Sequence, residues 1–133
     1  MKNKKFKSLI ISSVVCLLPI LFGVLLWDKL PDKVAIHFDF HNRPDNFVSK
    51  EFAVFVLPLV MLALHIACNL INFPTRNGQK TPDIIRKWII PVVAFIVEMT
   101  ILLYAIGHNI NMKIVALLIL GAGLTISMLA KNS

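Results

Sequence analysis

The sequence predicts an all-α membrane protein of four transmembrane helices, with a short extracytoplasmic β-hairpin-like loop between helices one and two. Three observations predict it. Apolar residues make up 57% of the 133 positions and charged residues only 16%, far from a globular balance. The apolar residues fall in four blocks, and nearly every charge lies between them. Each block is close to the roughly 20 residues that a helix needs to cross about 30 Å of hydrocarbon.

Helix one is expected at about 8–27, on the charge-free run from Ser8 to Trp27. Lys2, Lys4, Lys5 and Lys7 precede it like the basic region of a signal peptide. The run is too long for a cleaved leader and ends in Leu25-Leu26-Trp27 without a small-x-small site, so it reads as a retained anchor. Helix two is expected at about 52–74, from the run between Phe52 and Thr75. Thr81 as N-cap, Pro82 at the first helical position and Asp83 near the positive end of the dipole open helix three, at about 82–108. Helix four, about 113–130, is the shortest. There Ala116, Gly121, Gly123 and Ser127 offer small side chains for close approach of another helix, within the chain or in a homodimer. Pro19, Pro58 and Pro91 fall inside helical runs, which membrane helices tolerate. One membrane domain covers 1–133, with the outer loop at 28–51.

The net charge of +7 reports topology here, with no nucleic-acid partner implied. The amino terminus, the segment from Arg76 to Lys87 and Lys131 hold nine Lys/Arg; the outer loop and Lys113 hold five, diluted by five carboxylates. The positive-inside rule therefore places both termini in the cytoplasm of a multi-pass membrane protein, with lipid as its constant partner. Cys16 and Cys68 lie inside membrane runs and form no disulfide framework.

A loop as long as 28–51 usually has structure or function. From Lys33 to His41 it alternates: Val34, Ile36, Phe38 and Phe40 on one face, Lys33, His37, Asp39 and His41 on the other. Asn42-Arg43-Pro44-Asp45 then reads as a turn, and Phe47 and Val48 as a short returning strand. A two-stranded ribbon is marginal alone, so its apolar face should rest on helix ends or lipid.

Leu30, Pro31, Val34, His37, Phe38, Pro44, Asp45, Ser49 and Lys50 together resemble the first extracytoplasmic loop of the SdpI family. Its members are bacterial membrane proteins that protect cells against a secreted peptide toxin, and their amino-terminal half is shared by many small membrane proteins. The resemblance extends to the four-helix layout and to Trp88-Ile89-Ile90-Pro91 in helix three. It implies a toxin-binding or toxin-sensing membrane protein with a secreted peptide as partner. Ala35 stands where the family pattern usually has proline, and Asn42 where it usually has glycine; Asn is the best substitute for a left-handed conformation. The immunity protein that names the family continues into further helices, so what the resemblance secures is the shared amino-terminal part.

Two sets of residues are candidate sites. His37, Asp39 and His41 share one strand face, with Pro44 and Asp45 returning across the turn; the residue types permit a solvated face, contact with a ligand or toxin, or a metal. Glu98 is a carboxyl group deep in an apolar helix, which normally faces protein, water or a partner. His65 lies ten residues from Thr75, and Glu98 ten from Trp88. Antiparallel neighbours would set both about 15 Å from the inner surface. The pair reads either as a hydrogen bond tying two helices, with Glu98 protonated and neutral, or as a proton-transfer or ligand site in a small proton-coupled carrier. His108 and Asn109 read as interfacial polar residues. No nucleophile with a base, phosphate loop or His-Glu-x-x-His pattern occurs, and neither enzyme nor cofactor is expected.

The charge asymmetry gives a direct test of topology. With Cys16 and Cys68 replaced, Asn42→Cys should react with membrane-impermeant maleimide in intact cells and Asn77→Cys should not; the reverse labelling would invert the orientation.

Overall fold

The computed structural model describes residues 2–71, 77–78 and 81–131. It is mostly helical. Helix α1 spans Lys2–Leu25, strands β1 and β2 span Lys33–Phe38 and Pro44–Ser49, and a π-helical turn at Phe52–Val56 leads into α2 at Leu57–Ile71; α3 spans Asp83–Ala105 and α4 Met112–Lys131. Four helical stretches among the described residues are long and apolar enough to cross a membrane, Asn3–Leu25, Phe52–Ile71, Asp83–Ala105 and Met112–Lys131. The end expected for helix two, at 72–74, lies outside the described residues, as do Arg76 and Lys80.

Each helix end has a local cause. Helix α1 begins within the basic segment because lysine is a good helix former and Lys5 reaches Asp83 of α3 at 3.5 Å. It stops two residues before the expected end, where Lys29 N–H bonds Leu26 and Leu30 N–H bonds Trp27, tightening the chain into a 3-10 turn before Pro31. The π-helical turn answers Pro58: proline gives Val54 no N–H and its ring crowds that carbonyl. Leu57 N–H bonds Phe52 instead, a wider turn that makes room for the ring.

Helix α3 is capped one residue later than expected. Pro82, extended at ψ 141, is the N-cap, and its carbonyl accepts from Ile85 and Arg86. Asp83 turns to the side chains of Arg86 and Lys5. At the other end the helix closes three residues before the expected 108. Gly107, with φ 107, donates to Tyr104 and His108 donates to Leu103, the paired bonds of a Schellman stop.

Helix α3 is the central element, packed against α1, α2 and α4, and it also touches β1. The buried core lies toward the hairpin end. Leu30, Val54 and Leu102 form one cluster, bordered by Trp27 and Met99; Val34, Ala53 and Ile101 form another, bordered by Ile36, Val48 and Val97. Edge-on contact of Phe22 and Phe95, 6.4 Å between centroids, adds an α1–α3 contact. Only Ile126 of α4 is buried, and Gly121 and Gly123 have open space where a Cβ would be. These two glycines therefore create no close approach among the described residues.

The close approach occurs at Gly23 instead. A Cβ there would stand 2.7 Å from one methyl of Val54 and 2.9 Å from the other. Val54 is 1% exposed and has no room to withdraw. Gly23→Ala should therefore cost about 1–3 kcal/mol by overpacking, read as a lower unfolding temperature in detergent. Adding Val54→Ala should recover part of the loss; an unchanged Gly23→Ala protein would mean that α1 and the π-helical turn are not in contact.

Candidate functional site

The hairpin pairs antiparallel, with Lys33 opposite Ser49, Val34 opposite Val48 and Ala35 opposite Phe47. His37 then faces Asn46 and Phe38 faces Pro44, leaving Ile36 as the extra residue of a bulge. Val34 and Ile36 enter the core against Ala53 and Ile101, and Phe38 meets Tyr104 edge-on at 4.8 Å. The apolar face thus rests on helix ends. Ala35 is buried as well, at 3% exposure, a break in alternation next to the bulge.

Phe40 departs from its expected place on the buried face: it is 98% exposed. Period-two alternation ends at Phe38 because Asp39 starts a turn. Asp39 N–H donates to Arg43 and Asn42 N–H to Asp39. Asp39 Oδ1 accepts from the backbone N–H groups of His41 and Arg43, each at 2.9 Å. The Arg43 backbone bond, with smaller help from the His41 backbone bond and the Arg43 guanidinium, holds the Asp39 carboxyl below its usual range against the opposing effect of desolvation. Asn42 takes the left-handed conformation, φ 63.

Asn42 also does what its sequence position does not announce. Its Nδ2 donates to the Ile110 carbonyl at 3.0 Å and its Oδ1 accepts from Met112 N–H at 2.9 Å. The hairpin tip thereby caps α4 from outside. Asn111 completes the cap: its Oδ1 accepts from Lys113, and its carbonyl from Ile114 and Val115. At the hairpin root, Lys50 Nζ stands 4.6 Å from the Trp27 ring centroid, and Ser49 Oγ accepts from Phe52 N–H.

Of the candidate residues at the outer loop, His37 and Asp45 meet: Nδ1 donates to Oδ1 at 2.6 Å, in the open. Asp39 is engaged in the turn. Pro44 begins β2 opposite Phe38. His41 lines a polar cleft of about 400 Å³ with Phe40, Asn42, Asn109, Asn111 and Lys113. A second cleft, of about 360 Å³, is lined by His37, Phe38, Asp39, Phe40 and Asp45. Phe40 stands between the two. Among the described residues, no group of three or more His, Cys, Asp or Glu side chains is placed to hold a metal ion.

Inside the helices, His65 and Glu98 are both buried, at 0% and 3% exposure, yet no hydrogen bond among the described residues joins them. His65 turns toward α1. Its Nε2 lies 3.0 Å from Ser12 Oγ, which bonds the Leu9 carbonyl. Asn69, one turn along α2, contacts His65 Nδ1 at 3.4 Å and donates to the His65 carbonyl and to the Arg86 carbonyl of α3. A neutral imidazole with its proton on Nε2 fits this pattern. Ser12 and Asn69 escaped the sequence reading, although small polar residues within apolar helices do tend to face other helices. Glu98 has the opposite setting: its Oε2 is buried without a hydrogen-bond partner. It borders an apolar cavity of about 130 Å³ with Ile36, Leu57, Met61, Ala94, Val97 and Ile101.

Residues 14–62, from the middle of α1 through the hairpin into α2, match the family model described as a domain of unknown function, DUF1648. Over 120 residues the chain is 26% identical to the immunity protein SdpI of Bacillus subtilis (strain 168), an alignment covering 90% of this chain and 56% of that protein. Both findings support membership of the SdpI-type family. It spans about half the length of the curated relative it matches. No solved structure matches it. The matched domain of this SdpI-type chain contains the whole hairpin, with Asn42, Ser49 and Lys50, while Glu98 and the polar residues at Asn109 and Asn111 lie outside it.

The interior contacts separate two pairings by double-mutant cycles. Ser12→Ala with His65→Ala should show coupling of about 0.6–1.7 kcal/mol, the range for hydrogen bonds between membrane helices. Glu98→Gln with His65→Ala should show coupling near zero. A large Glu98–His65 term would mean that the two helices are rotated relative to the contacts described.

Proposed function

We propose that this protein recognises a secreted toxic peptide at its hairpin end, and so protects or informs the cell that makes or meets that peptide. The observation that carries this reading is Phe40, a large aromatic side chain held 98% exposed between two clefts. An aromatic ring costs free energy in water and is a common anchor of binding surfaces. The Asp39 turn and the Asn42 clamp hold it out on a rigid support, so little conformational entropy is lost when a partner covers it.

The two clefts supply the polar part of recognition. On one side, His37 and Asp45 present a preformed donor–acceptor pair to a backbone or side chain. On the other, Asn109, Asn111 and His41 offer amide and imidazole groups, with Lys113 as a cation. Phe47, half exposed on β2, extends the apolar surface. An amphipathic peptide arriving along the membrane surface would find apolar contact and hydrogen-bonding partners at one level.

This role requires the hairpin to face outward, as the basic residues at the other end support, and it requires no catalytic step. The relative's description as an immunity protein supports the same reading.

The test uses cells that depend on this protein for resistance to a peptide toxin. His37→Ala and Phe40→Ala should leave the amount of folded protein close to normal, since both side chains are exposed, and should cut protection at least tenfold in the toxin dose tolerated. Phe38→Ala should instead lower folded yield through loss of the Tyr104 contact. Full protection by the double variant of His37 and Phe40 would remove the hairpin end as the recognition surface.

A further inference from the structure

We infer that the cavity beside Glu98 is a binding site for a primary ammonium group carried on a short apolar stem. Glu98 is 3% exposed, and its Oε2 has no hydrogen-bond partner. No salt bridge among the described residues involves it. His65, the candidate neighbour in sequence terms, is engaged by Ser12 and Asn69. A carboxyl group in this setting lacks a complement, and none of the described residues supplies one.

The cavity selects the chemistry of that complement. Six of its seven lining residues, Ile36, Leu57, Met61, Ala94, Val97 and Ile101, are apolar. A water there would find one polar side chain where it needs two to four partners, and apolar cavities of about 150 Å³ stay dry and accept benzene-sized guests. A divalent cation would need about six oxygen ligands, and the lining offers one carboxyl group. A phosphate-bearing headgroup would bring an anion to a carboxyl group with no donor beside it. An ammonium on about four carbons satisfies every constraint: its N–H groups reach Oε2, its charge complements a carboxylate, and its stem fills about 130 Å³ of apolar space.

The hairpin closes one side of the cavity. Ile36, the bulged residue of β1, forms one wall, while Leu57 and Met61 come from the start of α2 and the rest from α3. The site therefore lies directly beneath the strand that faces the surface clefts. It is independent of whether those clefts take a peptide: a free alkylamine and a lysine side chain present the same group.

The experiment measures thermal unfolding of the full chain in detergent with n-butylamine at neutral pH, and with n-butanol as the neutral isostere. Wild type should be stabilised saturably by butylamine, with half-saturation in the millimolar range expected for so small a ligand, and at least tenfold more weakly by butanol. Glu98→Gln, which keeps the shape, should lose the butylamine response. Ala94→Val, which narrows the cavity and keeps the carboxyl group, should weaken it at least threefold. Nα-acetyl-lysine N-methylamide distinguishes the sources: a response with the same dependence on Glu98 assigns a peptide lysine, and a response to butylamine alone assigns a free amine. Equal effects of amine and alcohol, an unchanged response in Glu98→Gln, affinity that keeps rising from butyl to octyl, or no response to butylamine would each overturn the assignment.

Discussion

A backbone amide or polar side chain in a membrane core is costly unless it finds a partner inside the protein, because hydrocarbon offers none. Much of the fold follows from how this chain meets that constraint. The carbonyl of Arg86, in the first turn of α3, accepts from Asn69 of α2. Asn69 also holds His65, and His65 holds Ser12 of α1. One chain of hydrogen bonds thus runs across three helices. It fixes how each is rotated about its axis, which apolar packing alone specifies weakly when lipid and leucine are equally apolar. At the other end the same requirement is met by Asn42 and Asn111, which satisfy the free N–H groups that begin α4.

The four spans were legible because hydrophobic length is a coarse signal: about twenty residues without charge leave few alternatives. The hairpin was legible from alternation as far as Phe38 and from the turn residues after it. Asn42 in the glycine position proved informative in two ways. It takes the left-handed conformation that glycine would take, and its side chain adds bonds to Ile110 and Met112 that glycine could not make. The resemblance carried by residues from Leu30 to Lys50 pointed to the same SdpI-type family whose membership the matched domain and relative support.

Other features were hidden for physical reasons. Matching residue counts set His65 and Glu98 at one depth, but a count along the axis says nothing about azimuth. A helix turns by about 100° per residue, so two residues at one depth can face different neighbours, as these do. Phe40 continued the alternation in sequence, yet alternation has meaning only while the strand lasts, and the Asp39 side chain had already diverted the backbone. Gly121 and Gly123 resembled a packing motif, but the close contact is made by Gly23, which stands alone among larger residues.

The π-helical turn has a consequence for how this part of the chain can change. Such a turn holds one residue more than an α-helix of the same extent, and here it separates the hairpin from the face of α2 that carries His65 and Asn69. Loss of one residue from Phe52–Val56 can be absorbed as the wide turn reverts to ordinary α geometry, at the cost of crowding Pro58 against the carbonyl before it. The same loss farther along α2 would swing that face by about 100°, away from Ser12 and Arg86. Within this span, a one-residue loss at an exposed position of the wide turn, with Ala53 and Val54 kept in the core, is therefore the change that leaves the interior face in its rotation.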